Sequence, residues 1–123
     1  MKKICSLFLL SLVILSCSKD SESSITPTPS TPPSTDGKSH YLSDVAPIIS
    51  NRCTGCHGNT PSNGAPMSLT TLDAVKEAIQ NRGLISRINL PQGDPGMMPK
   101  NGTKLSQSDI DKITKWQTDG FLN

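Results

Sequence analysis

Apolar residues recur at helical spacing in three segments of the chain, and the first of these segments ends at a pair of cysteines. Its i, i+3, i+4 and i+7 positions are Val45, Ile48, Ile49 and Arg52. This spacing places the residues on one face of a helix that runs directly into Cys53. Pro47 is compatible with such a helix only in its first turn, because proline has no backbone N–H to donate.

A second amphipathic segment begins after Thr70. We expect Thr70 to be the N-cap of this helix, with Asp73 at the third helical position. The apolar positions on one face are Leu72, Val75, Ala78 and Ile79. Gly83 lies near the expected end of the helix. A short helical turn over residues 84–90 is predicted to follow and to be closed by Pro91.

The third segment has a well-defined start. Ser106 is the expected N-cap, and Asp109 stands at the third helical position. Leu105 can pack onto Ile110 as a hydrophobic staple across the first turn. The buried face is predicted to consist of Ile110, Ile113 and Trp116.

The end of this last helix is equally well marked. Gly120 falls at the C′ position, and Phe121 at C″ can fold back on Trp116, as in a Schellman motif. No strand pattern is evident, so we predict an all-α domain over residues 39–123. Aromatic residues make up only 3% of the chain, and a domain this small has little core of its own. An apolar cofactor would supply the missing bulk.

The chain begins with the features of a lipoprotein signal. A basic start is followed by an apolar run over residues 4–15, which has the length of a signal peptide and is too short to span a bilayer. Residues 14–17, Ile-Leu-Ser-Cys, resemble a bacterial lipobox. The resemblance implies removal of residues 1–16 and lipidation of Cys17. Ordinary secretion with a free Cys17 thiol is the alternative.

Residues 17–38 are predicted to form a disordered Ser/Thr/Pro-rich tether behind the lipidated cysteine. Such a stretch buries too little apolar surface to fold, and it would hold the domain away from the membrane. Loss of the signal also removes Lys2 and Lys3, so that 12 basic and 10 acidic residues become 10 of each. A near-neutral mature chain gives no indication of nucleic-acid binding.

Residues 53–57, Cys-Thr-Gly-Cys-His, have the spacing that attaches a c-type haem. Cys53 and Cys56 can each form a thioether to one vinyl group of a porphyrin, and His57 can then ligate the iron. Gly55 is expected to let the backbone curl tightly at a point where a side chain could clash with the porphyrin. A redox dithiol and a zinc site are the alternatives. Zinc would need about four ligands, and His40 is the only other histidine.

The loop over residues 90–105 offers the sixth iron ligand. It is rich in turn-forming residues and contains Met97 and Met98. A thioether is a donor suited to haem iron opposite histidine, and it raises the reduction potential. Pro99 would fix the backbone directly after Met98. Met67 lies close to His57 in sequence and is better explained as flexible core filler.

These motifs together resemble the class I cytochrome c family, in particular its small, often lipid-anchored members. The similarity rests on the helix entering residues 53–57, the methionine-proline loop over residues 93–99, and the last helix with Trp116 and Gly120. It implies a helical domain around one covalent haem c. It also implies thioethers at Cys53 and Cys56.

The same resemblance implies the axial ligands. His57 would be the proximal ligand and Met98 the distal one, since family members place the ligand directly before proline. Met97 is the alternative, because adjacent side chains point differently and only one can face the iron. The doubled methionine departs from the simplest family pattern.

Four further polar residues near these motifs have only weak functional interpretations. Arg52 could reach a haem propionate but could equally be a surface arginine. Lys100 and Lys104 flank the methionine loop and could guide an acidic partner, although loop lysines are usually just solvated. His40 is expected to be a solvated histidine.

A haem iron with both axial positions filled has no site for substrate. We therefore expect a non-enzymatic electron carrier, anchored in a bacterial cell envelope, with the outer membrane favoured, that exchanges single electrons with unidentified redox proteins. The alternative is a five-coordinate haem c domain that binds a small gas or reduces peroxide. No hydrolytic residue set or phosphate-binding glycine loop is evident in the sequence.

Overall fold

The computed structural model describes residues 35–123. The predicted signal peptide, the lipidation site Cys17 and the tether up to residue 34 lie outside the described residues. The described part contains a π-helical segment and four α-helices: Tyr41–Val45 (π), Ala46–Arg52 (α1), Leu72–Asn81 (α2), Leu84–Asn89 (α3) and Gln107–Thr118 (α4). No strand occurs between residues 35 and 123, where the β-type pairing is one isolated bridge from His40 to Leu122. The predicted helical class without a sheet is confirmed.

The helix that leads to the cysteines starts earlier than predicted. The π-helical segment Tyr41–Val45 continues directly into α1, and the Ala46 N–H donates to the Tyr41 carbonyl. A π-type turn closes its hydrogen bond one residue further along the chain than an α-turn does. Pro47 falls in the first turn of α1 itself, as predicted. The buried side chains of this run are Tyr41, Val45, Ile48 and Ile49.

The predicted N-cap of α2 is wrong by one residue. The hydroxyl of Thr71, not Thr70, accepts from the Ala74 N–H at 3.2 Å. Thr70 is engaged elsewhere, because its N–H donates to the Ser68 hydroxyl and the two hydroxyls are 3.0 Å apart. Ser68 engages Thr70, and the N-cap is the next residue in the chain. The buried face is Val75, Ala78 and Ile79, with Leu72 half-buried.

Both predicted ends of α4 are confirmed. The Ser106 hydroxyl accepts from the Asp109 N–H at 3.1 Å. At the other end the Phe121 N–H donates to the Trp116 carbonyl at 2.9 Å and the Gly120 N–H donates to the Gln117 carbonyl at 3.2 Å. These are the two bonds of a Schellman motif. Gly120 has a φ of 89°, a conformation that costs other residues energy.

Trp116 links α4 to the segment that precedes the cysteines. Its side chain is fully buried, and its ring meets Phe121 edge-on at 4.9 Å and Tyr41 at 5.3 Å between centroids. The indole N–H donates to the Leu122 carbonyl at 2.6 Å, and the same carbonyl accepts from the Tyr41 N–H at 2.8 Å. The last helix therefore holds the start of the helical run that ends at Cys53.

Candidate functional site

The residues between Cys53 and His57 form a compact turn at the end of α1. Cys53 still belongs to the helical ladder, since its N–H donates to the Ile49 carbonyl at 2.9 Å. The Cys53 carbonyl then accepts from both the Cys56 and the His57 N–H, at 3.1 and 2.8 Å. The Thr54 hydroxyl donates back to the Ser50 carbonyl at 2.7 Å. The chain thus presents both cysteines and the histidine from one turn.

The glycine that this turn requires is not the expected one. Gly55 does not adopt a left-handed conformation, and a Cβ added there would meet nothing within 4 Å. A Cβ at Gly58 would lie 3.0 Å from the Thr54 carbonyl oxygen, which is closer than real Cβ atoms normally come. The backbone itself therefore does not need a glycine at position 55, and that part of the expectation was wrong. Gly58 is the position where the chain passes too close for a side chain.

The two thiols lie in different surroundings. Cys53 is half-buried and packs against the hydrophobic core, and this burial raises the pKa of its thiol to about 11. Cys56 is exposed, and its sulfur accepts a hydrogen bond from the Asn63 side-chain amide at 3.4 Å. Both are free thiols, so both sulfurs are available for bond formation.

His57 is oriented by a backbone carbonyl. Its Nδ1 lies 2.8 Å from the Met67 oxygen. A carbonyl can only accept, so Nδ1 carries the proton and donates it. The lone pair of the neutral ring is then on Nε2. A hydrogen bond of this kind fixes the tautomer and ring orientation of metal-binding histidines, so His57 has the form that a metal ligand needs.

A cleft of about 1070 Å³ joins the cysteine-histidine turn to the methionine loop. Cys53, Cys56 and His57 line it, and so do both Met97 and Met98. Its apolar lining includes Leu69, Leu84, Ile88 and Leu105. Mostly apolar clefts with a few polar groups are typical of cofactor sites. The fold thus brings the four predicted haem residues to one cavity.

Both methionines of the loop remain candidates for an iron ligand. Met97 is 4% exposed, and its N–H donates to the Asp94 carbonyl at 3.1 Å. Met98 is half-buried and packs against the core, while its N–H donates to the Arg87 carbonyl at 3.1 Å. Both backbones are therefore anchored by hydrogen bonds, and both side chains reach the cleft.

The charged residues that line the cleft are all cations. They are Arg52, Arg82, Arg87 and Lys100, and no aspartate or glutamate of the described residues joins them. Arg82 is paired with Glu77 at 3.0 Å, both side chains being about half exposed. The lining of this cavity therefore carries positive charge, which would stabilise an anionic ligand group.

The structure gives defined hydrogen-bond partners to Lys104 and His40. Lys104 is half-buried, and its ammonium donates to the Asn89 and Leu90 carbonyls at the end of α3. It therefore satisfies a helix C-terminus, and it does not extend from the loop as a solvated charge. The His40 side chain is partly exposed, as expected, and its ring is also hydrogen-bonded to the Asn123 backbone oxygen at 2.9 Å and to the Asp36 carboxylate at 3.0 Å.

Met67 and Arg52, which the sequence placed near the motifs, also hold other parts of the chain in position. The Met67 side chain packs against the core and lines the cleft, as expected of a filler, but its carbonyl also holds His57. Arg52 donates to the Thr103 carbonyl at 2.8 Å. Gln92, which we did not single out, bonds to backbone on the far side of the methionine loop. Backbone acceptors leave no residue signature, so none of these bonds was predictable from residue spacing.

Within residues 35–123, no three His, Cys, Asp or Glu side chains come together as a group that could hold a metal ion. No helix in the same range is long and apolar enough to cross a membrane. The candidate site consists of the cleft residues themselves: the turn with its two cysteine thiols, the His57 imidazole and the two methionines. Comparison with family models, curated proteins and solved structures finds no match for the chain.

Proposed function

We propose that this chain is a mono-haem c-type cytochrome that carries single electrons, of the class I type that its motifs resemble. The observation that supports this most strongly is the shared cleft. It collects Cys53, Cys56 and His57 from one turn and Met97 and Met98 from a loop far away in sequence. A dithiol redox site or a zinc site has no use for a methionine pair at the same cavity.

The residues of the cleft fit a haem. Two free thiols sit on the turn that also presents the imidazole, and each S–H can add across one vinyl group without an oxidant. The apolar lining suits the macrocycle, and the cations Arg52, Arg87 and Lys100 suit its propionate carboxylates. A haem held here would supply the one-electron couple of its iron.

Each ligand has a defined role in this proposal. His57 Nε2 is the proximal ligand, because Nδ1 is committed to the Met67 carbonyl. Met98 is the proposed distal ligand, on the resemblance of the Met98-Pro99 pair to the family loop, with Met97 as the alternative. With both axial positions filled, the residues tune potential and access and perform no acid–base or nucleophilic chemistry.

The proposal includes the cell envelope. Lipidation at Cys17, after removal of residues 1–16, would anchor the protein to a bacterial membrane, with the outer membrane favoured. The tether over residues 17–38 would separate the haem domain from the bilayer by at most about 60 Å, at about 3.1 Å per residue. Its electron donor and acceptor would then be redox proteins of the same compartment.

The ligand assignment is tested by visible spectroscopy of protein matured with c-type haem machinery. Met98→Ala should abolish the long-wavelength band of methionine-ligated ferric haem, whereas Met97→Ala should keep it. The reverse result would make Met97 the ligand. If the parent protein itself is high-spin and its spectrum shifts with carbon monoxide, the electron-carrier function fails and the five-coordinate alternative replaces it.

A further inference from the structure

The methionine loop is held by a side-chain amide that spans its far end. Gln92 precedes the methionines, and its Nε2 donates to the Gly102 carbonyl at 3.0 Å. Its Oε1 accepts from the Lys104 N–H at 2.7 Å. One amide thus joins the chain before the methionines to the chain after them. Both its donor and its acceptor are used, which fixes the amide orientation.

A second bond reaches the same stretch from the haem-attachment side. Arg52, the residue directly before Cys53, donates from its guanidinium to the Thr103 carbonyl at 2.8 Å. Thr103 lies between the two residues whose backbone Gln92 holds. Three consecutive residues, Gly102 to Lys104, are therefore bonded by side chains from elsewhere in the chain.

Met98 and the residue before Met97 are bonded to α3. The Arg87 carbonyl accepts from the Met98 N–H at 3.1 Å, and the Arg87 guanidinium donates to the Gly96 carbonyl at 3.3 Å. Lys104 then ties the loop end to the last carbonyls of α3. Hydrogen bonds from α3 hold the methionine loop at Gly96 and Met98. Hydrogen bonds from Gln92 and Arg52 hold its end, at residues 102–104.

We propose that Gln92 and Arg52 are positioning residues for the distal methionine, an inference that rests on the proposed haem function. Neither touches the iron in this account. Arg52 fixes the loop relative to the turn that carries His57, and Gln92 fixes the two ends of the loop relative to each other. The methionine side chain is then held at the iron without the cost of ordering a free loop. Without them the sixth position should exchange more easily with an external ligand.

The test is imidazole binding to the ferric, haem-loaded full chain. Gln92→Ala removes two hydrogen bonds to the loop and Arg52→Ala removes one. One net bond contributes about 0.5–1.5 kcal/mol, and 1.4 kcal/mol corresponds to tenfold in affinity. Imidazole affinity should therefore rise about fivefold to a hundredfold in Gln92→Ala and about two- to tenfold in Arg52→Ala. The reduction potential should fall in Gln92→Ala, since bound methionine raises it; Arg52→Ala is judged by imidazole affinity, because it also removes a cation that lines the cleft.

Milder variants keep the test valid if an alanine variant folds poorly. Gln92→Glu retains the acceptor for the Lys104 N–H and loses the donor to Gly102, so its imidazole affinity should lie between those of the parent and Gln92→Ala. The matched control is Gln117→Ala, at an exposed glutamine of α4, which should bind imidazole as the parent does. Thermal unfolding of every variant separates a loss of stability from a change at the iron.

The outcomes distinguish this inference from the function on which it rests. If the parent shows methionine ligation but Gln92→Ala and Arg52→Ala bind imidazole within twofold of Gln117→Ala, the positioning roles are refuted and the cytochrome proposal stands. A lower melting temperature with unchanged imidazole affinity has the same meaning, because it shows a purely structural role. If the parent carries no methionine-ligated haem, both proposals fail.

Discussion

Replacement of Trp116 should destabilise the domain more than any other single truncation in the core. The indole is fully buried between Tyr41 and Phe121 and is bonded to the Leu122 carbonyl. Trp→Ala changes in protein cores cost about 3–5 kcal/mol. Since small domains are stable by only about 5–15 kcal/mol, Trp116→Ala should lose about a fifth or more of the folding free energy.

The milder Trp116→Phe variant separates packing from hydrogen bonding. It keeps a ring between Tyr41 and Phe121 but removes the indole N–H. The Leu122 carbonyl would still accept from the Tyr41 N–H, so no buried acceptor is left unpaired and the lost bond should cost only about 1 kcal/mol. With the smaller ring volume, the total should be about 1–3 kcal/mol.

The assay is denaturant unfolding of the haem-loaded chain, followed by far-ultraviolet circular dichroism. Leu42→Ala is the control, because Leu42 is 53% exposed and surface substitutions usually change stability by no more than about 0.5 kcal/mol. The reasoning is refuted if Trp116→Ala costs less than about 1 kcal/mol, or if the Phe and Ala variants cost the same.

Two further predictions concern the N-cap of α4 and the ring of His40. Ser106→Ala should cost about 1 kcal/mol in unfolding free energy, since it removes the N-cap bond to Asp109, while Ser108→Ala in the same turn should cost less; equal costs would contradict the capping role. The Asn123 carbonyl and then the Asp36 carboxylate raise the pKa of His40 above its ordinary 6.5, so its contribution should be complete below about pH 6.5 and should be lost as the pH rises through the folded-state value. The melting-temperature difference between the parent and His40→Asn should therefore shrink above pH 6.5, and a difference that grows there would reverse the assigned sign.

The two ends of α4 could be predicted from the sequence because the residues around each end determine its cap. Ser106, Gly120 and Phe121 each occupy the predicted position because an N-cap and a Schellman stop depend on the few residues around them. The N-cap of α2 was predicted one residue too early, at Thr70, because a side chain outside the helix engages that threonine. That side chain belongs to Ser68.

The start of the first helix could not be predicted from the spacing of its apolar residues. Tyr41 and Val45 form a π-type turn whose period differs from the 3.6-residue repeat. This segment is held from the C-terminal end of the domain, through Trp116 and the Leu122 carbonyl. A window of sequence around residue 41 has no access to that contact.

Candidate haem residues were predictable, whereas the groups that orient them were not. The cysteine-histidine spacing and the methionine-proline pair can be found by residue type, and the fold brings them to one cleft. The bond between the His57 ring and the Met67 carbonyl and the bond between the Gln92 amide and the Gly102 carbonyl each join a side chain to a backbone group ten residues away. Any residue can supply a carbonyl, so only the folded chain identifies the one that holds His57.

The central claim is a covalent porphyrin on the turn between Cys53 and His57, and intact mass spectrometry of correctly exported protein tests it most directly. We expect the mature chain to gain the mass of one haem, and the peptide that contains Cys53 and Cys56 to carry that gain. A colourless protein of unmodified mass, with both cysteines recovered as bare thiols, would contradict the account.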